Sequence, residues 1–441
     1  KNRRIARVGL ALTAVCFGLS GWAQSGDDAT MALLTYKIKA GDTLRKIASN
    51  YLIEGADIDR VAQINHIKDI DLILAGNELS VPKAWVQNTP STATVMSLSC
   101  AAPIALRNGT ELKVGQKVSE NAIIDVPAEC HLGLVLEDGS TIRLPSSASI
   151  KITRLQKNKL QSTPEVRLEL VKGRVELQVH KGRGKSTPFE VQTPISIMGV
   201  RGTEFRVGYS QADQTGQVEV LEGGVQTQGS QDAQSQLVEK GFGAPISREG
   251  KVLGIEKLLE APQLVGVSLV EGSASTYLVR LQPQSNASYY LADSSPNANA
   301  SGERNTQQLL APEFLLGGLS QQAVFYQFKA VSALALIGKE SNYAICAPEK
   351  ANGRCSILFD TPLANNTPIK FVLQLQNQDQ KQDLLNVNNL LAKKGRFSIQ
   401  GLQAGKYHWS LSYKPQTGPS SDSEATRVTQ SGEFELLSIQ P

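Results

Sequence analysis

From about residue 104 to residue 250 the chain runs in short apolar–polar alternations broken by glycine, a pattern that restricts this stretch to an all-β unit. Val166, Leu168 and Leu170 alternate with polar residues, Gly173 interrupts, and Val175, Leu177 and Val179 resume. The turn Lys181-Gly182-Arg183-Gly184-Lys185 follows, then Phe189-Glu190-Val191, a bend at Thr193-Pro194, and Phe205-Arg206-Val207. Val218, Val220, Leu221 and Val225 close the series. Strands this short bury one face each and depend on neighbouring strands for the rest of their stability.

Ahead of that region the period changes. Leu44, Ile47, Ala48 and Tyr51 fall on one stripe of a short helix, with Asp42 or Thr43 placed to accept its orphan N–H groups. Ile58, Val61 and Ala62 repeat the stripe behind Asp57. Tyr36 to Lys39 and Glu78 to Pro82 alternate as strands do, giving a β-α-α-β order. So small a unit has a thin core. The stretch 36–82, YKIKAGDTLRKIASNYL followed by DIDRVAQINHIKDIDLILAGNELSVP, resembles a LysM module along its length. The resemblance implies a shallow groove for N-acetylglucosamine polymers such as peptidoglycan, formed by the first strand-to-helix loop and the last helix-to-strand loop. The matching positions are Gly41, Asp42, Thr43 and Leu44, then Ile70, Asp71, Leu72 and Ile73. Gly41 would let the backbone approach the sugar, main-chain groups would pair with the acetamido group, and Leu72 or Ile73 would cover an apolar ring face. Leu74-Ala75 stands before Gly76 where that family often has proline.

Residues 1–23 read as a cleavable signal peptide: Lys1, Arg3, Arg4 and Arg7, an apolar run from Val8 to Leu19, and the small-x-small site Gly21-Trp22-Ala23. The apolar run is shorter than the ~20 residues of a membrane span, and no later segment is apolar enough to cross. Cys16 lies inside the run behind Thr13-Ala14-Val15, a poor context for lipidation. Removing the four basic residues of the signal lowers Lys+Arg from 45 to 41, equal to the 41 Asp+Glu. A neutral mature chain gives no electrostatic case for nucleic acid as a partner. In an oxidising periplasm Cys100, Cys130, Cys346 and Cys355 pair most simply as 100–130 and 346–355, although sequence permits three pairings.

Residues 84–103, polar and rich in Ser and Thr, read as a linker. Beyond it come five ordered blocks: Leu136-Glu137-Asp138-Gly139-Ser140, Gly173-Arg174-Val175, Pro188-Phe189-Glu190-Val191-Gln192-Thr193-Pro194, Val200-Arg201-Gly202-Thr203-Glu204-Phe205, and Val220-Leu221-Glu222-Gly223-Gly224-Val225. They resemble the periplasmic domain of FecR regulators and place such a domain at 104–258. The resemblance implies a right-handed, β-helical stack with Gly199, Gly202 and Gly223 at corners, and a signal received from another envelope protein. Arg201 is then either a partner contact or a structural arginine paired with Glu204. Only seven residues precede the apolar run, so a sigma-binding segment of the kind those regulators carry is not expected.

The last stretch repeats in pattern: Phe314 to Leu319 leads into Phe325 to Val331, and Phe397 to Leu402 into Tyr407 to Tyr413, each a Gly-Leu turn before an aromatic strand. This resembles fibronectin type III or Ig-like sandwiches, at 261–345 and 346–441. The expected whole is mainly β and multidomain: a small βααβ LysM module, a β-helical FecR-like domain, and one or two C-terminal β-sandwiches.

Catalysis finds little support. His66, His131, His180 and His408 are scattered, without metal-ligand spacing, so neither a metal nor another cofactor is expected. Cys130 neighbours His131, but adjacent strand residues face opposite ways. Ser80-Val81-Pro82-Lys83 matches Ser-x-x-Lys by letter, yet Pro82 forbids the required helical turn. The carboxylate pairs Asp27-Asp28 and Glu137-Asp138 read as solvated charge. Lys172, Arg174, Lys181, Arg183 and Lys185 form a basic cluster that reads as a solvated hairpin, with anionic wall polymer as the competing ligand. The expectation is a non-enzymatic periplasmic adaptor that holds peptidoglycan and an envelope protein; the alternative is an envelope signalling receptor.

Overall fold

The computed structural model describes residues 32–439 apart from 161–162, 182–188, 201, 299–303, 349–352, 361–368, 380–381, 393–395 and 414–427. The expected signal peptide, Arg201, and Arg183 and Lys185 of the basic cluster lie outside the described residues. The chain divides into two compact units, 1–86 and 87–441. No helix among the described residues is long and apolar enough to cross a membrane.

The first unit has the order β1 (Leu33–Lys37), α1 (Leu44–Tyr51), α2 (Ile58–Ile64), β2 (Glu78–Pro82), with β1 and β2 antiparallel. Thr43 caps α1, its Oγ1 accepting from the Lys46 N–H at 3.2 Å, and Asp57 caps α2, accepting from Arg60 N–H at 2.9 Å. Leu34, Tyr36, Leu44, Ile47, Val61, Leu79 and Val81 are the buried core, as their strand and helix periods require. Asn65, at the end of α2, locks that helix to β2: its side chain donates to Ser80 O and accepts from Ser80 N–H, both at 2.6 Å. Ser80 lies in β2 while Lys83 opens the short 3-10 turn Lys83–Trp85 that follows it, so the two do not share a helix.

The second unit begins with β3 (Asn88–Pro90), β4 (Ala93–Ser99), β5 (Lys117–Val118), β6 (Ile123–Asp125), β7 (His131–Leu136), β8 (Thr141–Leu144) and β9 (Ser149–Asn158). Then come β10 (Glu165–Gln178), β11 (Phe189–Thr193), β12 (Ser196–Val200), β13 (Glu204–Ser210) and β14 (Thr215–Glu222). β15 (Gly224–Gly229), β16 (Gln236–Glu239), β17 (Phe242–Ile246) and β18 (Glu256–Lys257) complete this region. Two expectations are corrected here. Residues 88–99 of the expected linker are the strands β3 and β4, paired with β9 and β7, and Ala93 and Val95 are buried, because the residues alternating with the threonines and serines are apolar.

The β-helical stack does not form either. Among the described residues of this region only β10 and β11 pair in parallel; the remaining ladders are antiparallel. Tight turns return the chain on itself, as at Asp138-Gly139, where Asp138 Oδ1 accepts from Ser140 N–H at 3.0 Å and Gly139 takes φ +85°. Two sheets result, and they share β10. Its first half pairs with β9 and β11, its second half with β8 and β13. The bend between halves is Gly173, at φ +82°, where a Cβ would lie 2.7 Å from the Ala148 Cα. Between the sheets Leu134, Ile142, Ile150, Leu168, Leu177, Phe189, Phe205 and Val220 form one apolar core. Gly202 and Gly223 occupy turns with positive φ, but Gly199 lies inside β12 and is not a corner.

Two sandwiches follow. In the first, β19 (Leu264–Leu269), β20 (Thr276–Leu281) and β23 (Glu313–Gly317) form one sheet. Its other sheet orders β22 (Asn305–Leu309), β21 (Ala287–Ser295), β24 (Val324–Ser332) and β25 (Ile337–Cys346). In the second, β26 (Cys355–Asp360) pairs with β29 (Arg396–Leu402). Opposite them, β28 (Gln382–Ala392), β27 (Ile369–Asn377), β30 (Gly405–Tyr413) and β31 (Val428–Ser438) adjoin in that order. The repeated sequence pattern falls on equivalent strands, β23 with β24 and β29 with β30. The two four-stranded sheets fuse where β25 and β31 run parallel, from Tyr343 opposite Glu435 to Cys346 opposite Ser438. A disulfide joins Cys346 to Cys355 across the connection between the sandwiches, with Cα atoms 6.2 Å apart, and another joins Cys100 to Cys130. Met96 and Val135 of the preceding region pack into one apolar cluster with Phe325, Cys346, Ile357 and Trp409 of both sandwiches.

Candidate functional sites

The expected glycan positions fall on two neighbouring loops of the first unit. Gly41 takes φ +85° in a tight turn, with open space where a Cβ would stand. Asp42 shapes that turn: its Oδ2 accepts from the Lys39 N–H at 2.8 Å and from the Tyr36 hydroxyl at 2.8 Å. The Lys39 hydrogen bond, more than any other contact, holds the Asp42 carboxyl below the usual range, while burial and the bond to Asp42 push the Tyr36 phenol up. Thr43 spends its hydroxyl on the helix cap. Leu44, 1 % exposed, is core, so its side chain cannot line a groove.

On the second loop Asp69 Oδ1 accepts from the Asp71 N–H at 2.9 Å, Ile73 is half-buried, and Leu72 is 73 % exposed. Arg45 Nε lies 3.4 Å from Asp71 Oδ1, so the start of α1 and the loop bearing Ile70 to Ile73 stand side by side. An exposed apolar side chain such as Leu72 is suited to covering a sugar ring face. The Tyr36–Asp42 bond that shapes the Gly41 turn is not legible in the sequence, since only the folded strand brings residue 36 to residue 42.

The second site is electrostatic and lies within the second unit. Across the sheet containing the second half of β10, the ladder sets Gly133, Arg143, Glu176, Arg206 and Glu219 in one row. Alternating signs on adjacent strands attract. This row is covered by the β21-β24-β25 face of the first sandwich. Arg206, 2 % exposed, donates through Nη1 to Gly338 O at 3.0 Å and through Nη2 to Glu340 Oε2 at 2.9 Å. Glu219, fully buried, receives Arg174 Nη1 at 2.8 Å and the Ile337 N–H at 3.1 Å. Lys329 Nζ reaches Asp293 Oδ2 at 2.8 Å and Glu176 Oε1 at 3.6 Å, and Arg304 Nη2 reaches Asp293 Oδ2 at 2.9 Å.

Burial alone would raise the carboxyls of Glu176 and Asp293, but Lys329 and Arg304 outweigh it, holding Glu176 at about 2 and Asp293 well below the usual range. Glu204 goes the other way: burial, then Glu340, push it up against the pull of Arg143 and Arg206. A cavity of about 30 Å³ lies among Arg143, Glu176, Glu204, Arg206 and Glu340. Arg174, expected in a solvated basic hairpin, is instead committed to Glu219 because β10 continues through Gly173 and carries it onto the covered face.

Nothing convergent emerges from the histidines. His66 ends α2 in a turn, His180 is exposed, and His408 Nδ1 lies 3.4 Å from Glu433. Among the described residues no three metal-ligating side chains come together.

Family comparison assigns the two regions independently. Residues 36–82 match the LysM domain, and residues 122–226 match the FecR protein family. The chain carries a LysM segment followed by a FecR segment. Comparison with curated proteins gives no match. Among solved structures, two crystal structures of a candidate anti-sigma factor from Parabacteroides distasonis ATCC 8503 are similar at 20 % and 18 % identity, each with TM-score 0.26. They cover 31 % and 32 % of this chain, which in turn spans 59 % and 68 % of theirs. A two-domain fibronectin type III segment of chicken tenascin is similar at 10 % identity and TM-score 0.16, covering 40 % of this chain and 99 % of its own. At such scores these likenesses carry no argument about the LysM–FecR chain.

Proposed function

We propose that this LysM–FecR chain is a non-enzymatic adaptor of the bacterial periplasm: the LysM segment holds N-acetylglucosamine-containing glycan of peptidoglycan, and the FecR segment with the sandwiches recognises an envelope protein. The observation that carries the reading is the LysM match over 36–82, supported by the start of α1 and the second loop joined through Arg45 and Asp71, and by the exposure of Leu72. Gly41, Asp42, Thr43, Ile70, Asp71, Leu72 and Ile73 offer backbone and apolar contacts; Leu44 contributes main chain only. Arg201, in the Val-Arg-Gly-Thr block, is kept as the candidate partner contact of the FecR segment. A single shallow groove binds weakly, so residence on the wall depends on added contacts. The test is co-sedimentation with purified peptidoglycan: the intact chain pellets and the chain lacking 36–82 stays in the supernatant. Equal pelleting of both would remove the assignment.

A further inference from the structure

One titratable side chain of the FecR region faces the charge network without belonging to it. His131 opens β7, on the same strand face as Val135, whose side chain packs into the cluster shared with the sandwiches, whereas Leu132, Leu134 and Leu136 point into the FecR core. Both ring nitrogens of His131 are sealed from solvent and have no hydrogen-bond partner. The charged groups that act on it are Arg304, which opposes its protonation, and Asp293 of β21 and Glu176 of β10, which favour it; its own strand supplies no other charge. Both carboxylates are already engaged by Lys329 and by Arg304. An imidazolium needs two acceptors, and this position offers none.

We propose that His131 is the acid trigger of a clasp: protonating its ring adds a third cation to Arg304 and Lys329, whose two carboxylates are already paired, and frees the charged face of the FecR region from the first sandwich. Neutral, the ring leaves one donor and one acceptor unpaired; charged, it leaves two donors and a buried charge unpaired beside the groups that hold the two faces together. Burial first, and Arg304 second, push His131 down to about 4 from its ordinary 6.5. The unfolded chain therefore takes up this proton first, so the contribution of His131 to stability is complete above pH 6.5 and is lost as pH falls towards 4. Glu204, pushed up beside Glu340, works in the opposite sense, and its own titration must be separated from that of His131.

The experiment compares the full chain with His131→Gln, neutral at every pH, by hydrogen exchange corrected for intrinsic rates. The probes are the Ile337 N–H, bonded to Glu219, and the Lys339 N–H, bonded to Leu259 O. From pH 7 to pH 4.5 protection at both falls about tenfold or more in the parent chain, corresponding to one unit of the histidine shift, and changes little in the variant, while the FecR core stays protected in both. Parallel loss in the two chains, or no loss in either, overturns the proposal. Should the variant not fold, the imidazole carbon resonance of His131 in the parent chain decides: a midpoint below pH 5 agrees with the clasp, and one near 6.5 contradicts it.

Discussion

Arg206 shows how a polar residue becomes structural. Its side chain is nearly fully buried, and burial alone would favour losing the proton, but Glu340 first, then Glu176 and Glu219, hold it charged. Removing one member of such a network leaves the others unpaired in a dry site, at a cost of about 3–5 kcal/mol. Arg206→Met is therefore expected to destabilise the chain by roughly that amount in equilibrium urea unfolding. Arg45→Ala, which breaks an exposed pair, changes stability by less than about 1 kcal/mol in the same assay. The pH response follows in sign. Glu176 is held down at about 2 from 4.5, so its stabilisation is present above pH 4.5 and lost as pH falls towards 2. Melting temperature recorded across that window falls in the parent chain and falls less in Glu176→Gln.

At the level of elements, β10 carries the FecR region because one strand serves two sheets. Gly173→Ala forces a Cβ into Ala148 and Ser147 at a left-handed φ and lowers the melting temperature, at a cost above about 1 kcal/mol. Gly199→Ala meets open space in ordinary strand geometry and leaves the melting temperature unchanged or slightly higher. Circular dichroism melts of the pair test the distinction between a bend and a strand interior. The strands themselves were legible in the alternation, and both helices of the LysM segment in their stripes and caps, because those signals are local. What covers the polar face of a strand is not local. The row Arg143, Glu176, Arg206 and Glu219 is not legible as a unit in sequence, since alternation says one face is apolar and nothing about what lies against the other. For the same reason residues 88–99 read as a linker: Thr and Ser content masked Ala93, Val95 and Met96, whose burial depends on strands far along the chain.

Across the whole molecule, the LysM segment folds as its own compact unit, while the FecR segment and the sandwiches are joined into another by buried ion pairs, a shared apolar cluster and the β25–β31 ladder. That division suits the proposed anchor and platform: the candidate glycan loops would use backbone, Leu72 and Ile73, all within the smaller unit. Leu72→Asp puts charge where a sugar ring face would rest and is expected to abolish pelleting with peptidoglycan without unfolding the segment, as Leu72 is not part of its core. The most direct measurement of the glycan site is a titration of the isotope-labelled chain with N-acetylglucosamine oligomers, read residue by residue through amide resonances. Saturable shifts confined to the loops bearing Gly41 to Thr43 and Ile70 to Ile73 are expected. Shifts that arise only beyond residue 86, or none at all, would contradict the assignment.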